Sequence, residues 1–222
     1  MIRVMSIFGT RPEAIKMAPV VHALEENPNC ESIVCVTAQH RDMLDQVMEL
    51  FEIEAHEDLD LMLPGQNLLD LTARALQGLR QILSKHTPDV ILVHGDTTTS
   101  LCGSLAGFYS QIPVGHVEAG LRTGDISLPF PEEFNRQTIS KITKWHFAPT
   151  NISQSNLLAE GHKCTDVIVA GNTVIDALLL ILKQIEKNPL RKSLLKNKLN
   201  NILNFDWESS RFILITAHRR EN

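Results

Sequence analysis

Seven short runs of mostly apolar residues, separated by longer stretches with helical periodicity, constrain this chain more than any other feature. The runs are 3–8, 32–37, 89–94, 113–118, 145–148, 166–170 and 211–216. Most are apolar throughout instead of alternating, which is the pattern of strands covered by helices on both faces of a parallel sheet. Between two of the runs, Leu68, Leu71, Ala75, Leu79 and Ile82 fall three or four residues apart and make one apolar helix stripe. Asn151 and Asn172 stand where helix N-caps are wanted, and Pro12 can occupy a first helical turn without losing a needed donor. Repeated strand-helix units joined by right-handed crossovers give an α/β fold, a Rossmann-like doubly wound parallel sheet.

Length and charge narrow the classes further. At 222 residues the chain can bury a sizeable core, and 43% hydrophobic with 21% charged residues excludes disordered, collagenous and coiled-coil designs. Lys+Arg 21 against Asp+Glu 26 gives a net charge of -5, which argues against a nucleic-acid or anionic-membrane surface as partner. Cys30, Cys35, Cys102 and Cys164 show no metal-ligand spacing and read as buried free thiols of a reducing compartment. With no signal-peptide pattern and no apolar run long enough to span a bilayer, a soluble cytoplasmic protein is expected. Residues 183–198 carry six basic residues and one acid, Glu186, around Pro189, which reads as solvated linker helices. The strand-like run after them is the start of a further unit. The expected organisation is therefore a Rossmann-like domain over 1–171, linker helices over 172–205, and an incomplete second Rossmann-like domain from 206 to 222.

In open α/β sheets, ligands bind outside the carboxyl ends of the strands, so the residues following each strand matter most. The first is followed by GTRPEAIK, where Gly9 permits a tight turn and Arg11 and Lys16 add positive charge near a helix N-terminus, an arrangement suited to phosphate. An ordinary turn with two surface cations is the bland alternative. HGDTTTS places Asp96 where it is either a helix N-cap or a functional acid. GHVEAGLRTGD places Glu118 at the sheet edge, where capping explains a carboxylate less easily. The His116-x-Glu118 spacing lacks the PCxxC that a zinc deaminase needs, so no metal is expected. PFPEEFNR brings Glu132 and Glu133 to a helix start, one structural and the other free to function. His218, beside Arg219 and Arg220 after the last apolar run, is a candidate anion ligand. Crowded carboxylates push one another's proton affinities apart, so an acid and a base can share one pocket.

Together GTRPEAIKMAP, TAQHRDML, HGDTTTS, HVEAGLRTGD, PFPEEFNR, GNTVIDAL and TAHRREN resemble the non-hydrolysing UDP-N-acetylglucosamine 2-epimerases of bacteria, in that family's order and across the whole chain. The resemblance implies a GT-B type two-domain architecture, of which this chain holds the first domain and the beginning of the second. It implies interconversion of UDP-N-acetylglucosamine and UDP-N-acetylmannosamine without a cofactor, in a homodimer, supplying surface polysaccharides. By resemblance Asp96, Glu118 and Glu132 match catalytic carboxylates, and Arg11 and His218 match groups on the diphosphate. His218 is grouped with the catalytic set too, and Lys16 matches a further active-site cation. Gln39 and His40 match a second, activating nucleotide-sugar site, from which Asp42 departs where some relatives have Gln. The domain interface that the resemblance implies would close around the ligand, with Gly171 to Thr173 and the linker helices as hinge candidates. A GT-B glycosyltransferase and a hydrolysing epimerase are the competing enzyme readings. A partial chain that only binds or dimerises is the non-enzymatic one.

Overall fold

The computed structural model describes residues 1–38, 41–63 and 65–215. Its first half runs β1 (Ile2–Phe8), α1 (Arg11–Glu25), β2 (Cys30–Val36), α2 (Arg41–Leu50), β3 (Glu57–Asp58), α3 (Leu68–His86) and β4 (Val90–His94). Then follow α4 (Thr98–Tyr109), β5 (Val114–Val117), α5 (Glu132–Ile142), β6 (Trp145–Ala148), α6 (Asn151–Ala159) and β7 (Val167–Val169). The last helices are α7 (Thr173–Lys187) and α8 (Pro189–Ile202). The strands form one seven-stranded sheet, in the order β3-β2-β1-β4-β5-β6-β7, with every pairing parallel. This is the doubly wound Rossmann-like sheet expected from the continuous apolar runs. The chain reverses direction of travel across the sheet between β1 and β4, so the loops after these two strands flank a crevice.

One face of the sheet packs Met5, Ile7, Ile33, Cys35, Ile91 and Val93 against α3 and α4. Leu71, Ala75, Leu79 and Ile82 form the buried stripe of α3, whereas Leu68, its first residue after the N-cap Asn67, is exposed. Burying one leucine such as Leu79 contributes about 1.5–3 kcal/mol. α3 stops at Thr87, held left-handed at φ 43°.

Several local expectations change. Asn151 is the first residue of α6, and Thr150 caps it by accepting from the Ser153 N–H at 3.1 Å. Asn172 does accept from the Val174 N–H, at 3.1 Å, before α7. The two-residue β3 is an acidic edge strand that no apolar run announces. Cys35 and Cys102 are buried, and burial pushes their thiols up to about 12 and about 11, but Cys30 is only partly buried and Cys164 is exposed. Residues 211–215 form no strand, because a strand exists only through hydrogen bonds to a neighbour and this run pairs with none among the described residues. Thr216 lies outside the described residues.

The chain divides into two compact units, Met1–Leu178 and Leu179–Asn222. The first contains the whole sheet. In the second, α8 is capped by Asn188, Trp207 donates to Asn200 at 2.7 Å, and Lys196 pairs with Glu208 at 2.7 Å. The basic residues of 183–198 are mostly exposed, as solvated helix faces are. Among the described residues no helix is long and apolar enough to cross a membrane.

Candidate active site

Parallel strands deliver their C-terminal loops to a single edge, and the loops after β1, β4 and β5 are tied together there. Gly9 follows β1, and a Cβ on it would come within 1.9 Å of Thr37 Oγ1 and 2.7 Å of Thr99 Oγ1. The glycine is therefore required by close approach of three segments more than by a tight turn. Behind it lies Glu13, only 2% exposed. Its Oε2 accepts from the backbone N–H groups of Gly9 at 3.0 Å and Thr10 at 2.8 Å. Its Oε1 accepts from the hydroxyls of Thr97 at 2.6 Å and Ser100 at 2.8 Å. One buried carboxylate thus fastens the start of α1 to the start of α4, and with it Arg11 and Lys16 to the turn holding Asp96. Sequence reading passed over Glu13, although the Thr10-x-x-Glu13 spacing is a helix-start signature.

Asp96 does not cap α4. Thr97 does, accepting from the Ser100 N–H at 3.1 Å, which leaves the Asp96 carboxylate to form an ion pair with Arg136 through Oδ2. Asn135 Nδ2 donates to the Asp96 carbonyl at 2.8 Å. Two consecutive residues of α5 therefore grip the turn after β4. Glu133 is the structural member of the glutamate pair: fully buried, it accepts from Gln137 Nε2 at 2.8 Å and meets Arg136 Nη1 at 3.2 Å. Glu132, one residue earlier, is half-buried and its carboxylate has no hydrogen bond or ion pair among the described residues.

Glu118 sits just past β5 with φ +64°, left-handed for a residue with a side chain. Such a backbone costs about 1–3 kcal/mol and clusters at functional sites. Its Oε2 is ion-paired to Lys16 Nζ, and His94 Nε2 lies 3.6 Å from the same oxygen. Burial opposes ionisation of Glu118, but His94 and Lys16 outweigh it and hold the carboxyl at about 2. It is an anion at neutral pH. The expected site residues Lys16 and Glu118 are thereby in direct contact, and Asp96 is linked through Arg136 to the helix that begins with Glu132. Arg11, at the first position of α1, is exposed and its guanidinium has no partner among the described residues. Gln39, His40 and His218 lie outside the described residues. Arg136 and His94 were not singled out from sequence, since their partners are remote along the chain.

Deeper in the sheet, His116 and His146 are register neighbours on β5 and β6, each 1% exposed. His116 Nε2 donates to the Gly95 carbonyl at 2.6 Å, bracing the turn before Asp96, while its Nδ1 is buried without a partner. Protonation would place an N–H at that bare position. Burial accordingly pushes His116 down to about 3 and His146 to about 4. Both are neutral when folded yet take up a proton on unfolding below about pH 6.5. Stability is therefore complete above that pH and is lost as pH falls towards 4 and 3, at up to about 1.4 kcal/mol per pH unit for each histidine. Urea unfolding should show a midpoint that is level above about pH 6.5 and drops from there to about pH 4.5. A flat midpoint across that window rules the histidines out as the source.

The fold and this edge define a class: a Rossmann-like α/β domain whose carboxyl edge is built from carboxylates paired with cations. Comparison with known proteins goes further. The chain belongs to the UDP-N-acetylglucosamine 2-epimerase family, whose model matches residues 22–222. It is 55% identical over 221 residues to the UDP-N-acetylglucosamine 2-epimerase of Yersinia pestis, covering 99% of this chain and 57% of that protein. The corresponding enzyme of Escherichia coli (strain K12) is 53% identical with the same coverage. The crystal structure of UDP-GlcNAc 2-epimerase from Neisseria meningitidis bound to UDP-GlcNAc is similar at TM-score 0.86 and 50% identity, over 91% of this chain and 55% of that one. The chain thus spans about 57% of the length of the curated relatives it matches.

Proposed function

We propose that this edge binds the diphosphate and sugar of UDP-N-acetylglucosamine and takes part in inverting sugar carbon 2 to give UDP-N-acetylmannosamine. The observation that carries the reading is the direct pairing of Lys16 with an ionised Glu118 beside the turn that holds Asp96. The family membership and the ligand of the Neisseria relative support it. The hydrogen on carbon 2 has no adjacent carbonyl to stabilise a carbanion, so direct removal is slow. Loss of UDP from carbon 1 with the proton from carbon 2 gives the 2-acetamidoglucal, and re-addition of UDP with a proton delivered to the other face gives the epimer. Two faces require a base and an acid, a role for Asp96, Glu118 and Glu132. Arg11 and Lys16, with His218, hold the departing diphosphate and stabilise its charge. Gln39 and His40 belong, on this reading, to a second nucleotide-sugar site.

The functional protein is a cytoplasmic homodimer of two Rossmann-like domains serving polysaccharide synthesis, with 1–171 as the first domain, 172–205 as linker helices and 206–222 opening the second. The test is deuterium entry into carbon 2 from deuterated water, followed by NMR with UDP-N-acetylglucosamine as the only substrate. It is run on a polypeptide carrying this chain at the length of its relatives. An acceptor-dependent glycosyltransferase gives no exchange without acceptor, and a hydrolysing enzyme releases free N-acetylmannosamine; either result overturns the reading. The 222-residue chain alone should exchange orders of magnitude more slowly, because positioning of reactants is worth several kcal/mol of barrier. Arg11→Ala, which removes an exposed side chain with no internal partner, should weaken UDP binding about tenfold, the order of one charge-assisted contact, without changing stability. Unchanged UDP affinity by calorimetry removes Arg11 from the diphosphate.

A further inference from the structure

His94 is the last residue of β4, its side chain 4% exposed, and neither ring nitrogen has a hydrogen-bond partner among the described residues. A neutral imidazole has one N–H and one lone pair, and a buried polar group without a partner is uncommon enough to need a reason. The backbone of this residue is held in the sheet, where it is in register with Val117 of β5. The unpartnered ring is therefore fixed at its root, with Nε2 aimed at Glu118 Oε2 from 3.6 Å, just beyond hydrogen-bond length. The titratable groups facing it are Glu118 beyond β5, Lys16 of α1 through that same carboxylate, and His116 on β5.

Lys16 and His94 converge on one oxygen, Oε2, and Oε1 of Glu118 has no partner among the described residues. We propose that His94 is a positioning residue: it backs Glu118 Oε2, keeps the carboxylate oriented and ionised when Lys16 turns to a bound diphosphate, and leaves Oε1 to face the sugar. A diphosphate competes with Glu118 for the single ammonium of Lys16. Without a second group on Oε2, the carboxylate would lose its orientation as the substrate arrives. The low proton affinity of Glu118, to which His94 contributes, is consistent with such a backing group. What Glu118 then does to the sugar rests on the epimerase reading. The coupling between His94 and Glu118 does not.

The deciding measurement is made on this chain without substrate. Glutamate carboxyl carbons are labelled with 13C, the Glu118 signal is assigned through Glu118→Gln, and its titration is compared with that in His94→Phe, which fills the buried space without an N–H. Removing the partner favours the neutral carboxyl, so the midpoint should rise by about one pH unit or more. His94→Gln, whose amide N–H can still face Oε2, should keep the Glu118 midpoint nearer the parent, and His94→Leu repeats the comparison if the Phe variant fails to fold. Unmoved midpoints overturn the proposal. In the longer, exchanging polypeptide, His94→Phe should move the acid limb of the pH–rate profile upwards and lower the rate, with His94→Gln recovering part of both. Coupled titrations with an unmoved acid limb also overturn the positioning role. Absence of exchange in the parent protein counts against the epimerase reading alone and leaves the NMR titrations to judge His94.

Discussion

Glu132→Gln is expected to lower deuterium entry into sugar carbon 2 by about 10²–10⁴-fold, the usual worth of a general acid or base. The same variant should leave UDP affinity and stability close to the parent. Glu132 is the cleanest of the three carboxylates to replace because its side chain is half-buried and has no partner among the described residues, so the amide disturbs no contact. Asp96→Asn and Glu118→Gln should reach losses of the same order but carry a structural penalty as well. The first weakens the ion pair with Arg136 and the second that with Lys16. UDP calorimetry separates the two effects, since an acid or base at carbon 2 does not touch the diphosphate. If all three variants turn over near the parent rate, the carboxylates are not the acid and base.

Glu13→Ala is expected to cost about 3–4 kcal/mol of stability. Two backbone N–H groups and two hydroxyls donate to this carboxylate, and each buried group left unpaired costs about 1–3 kcal/mol, less than additively where water can reach the Thr10 turn. Glu13→Gln should recover most of the loss. Its amide oxygen can keep the Gly9 and Thr10 contacts, while Thr97 and Ser100 rotate their hydroxyls to accept from the amide nitrogen. Urea unfolding of the three proteins measures this. An Ala variant within 1 kcal/mol of the parent means the turns after β1 and β4 hold without their shared carboxylate.

The sheet was legible because a strand covered on both faces is mostly apolar, and six of the seven runs are strands of the sheet, five of them inner and β7 at its edge. Two features escaped for the same physical reason, namely that pairing rather than composition makes a strand. Glu57 and Asp58 pair with β2 despite their charge, while the apolar residues 211–215 pair with nothing among the described residues. The site was legible where position alone is telling, as with Glu118 at a strand end. It was ambiguous at Asp96, because the capping hydroxyl of Thr97 stands next to it and either residue type suits the post. His94 and Arg136 were invisible, since nothing near them in sequence announces a carboxylate partner. For Glu13 the sequence shows the local half of the role, towards Gly9 and Thr10, but not the half reaching Thr97 and Ser100.

The wiring of the crevice also sets when it can come into being. Lys16 meets Glu118 across 102 positions, Glu13 meets Thr97 across 84, and Arg136 meets Asp96 across 40. β1 lies in the middle of the sheet although it is synthesised first, so it gains its β4 neighbour only after α3 has been made. Closing such long loops is entropically costly and slow, which makes the crevice a late product of folding. A ligand for it has no purchase on earlier species and must bind the native state alone. By mass action it then raises the free energy of unfolding by about 2.7 kcal/mol at a hundred times its Kd. The melting temperature should therefore climb with UDP concentration, so that affinity for this edge becomes readable as a thermal shift even when no turnover occurs.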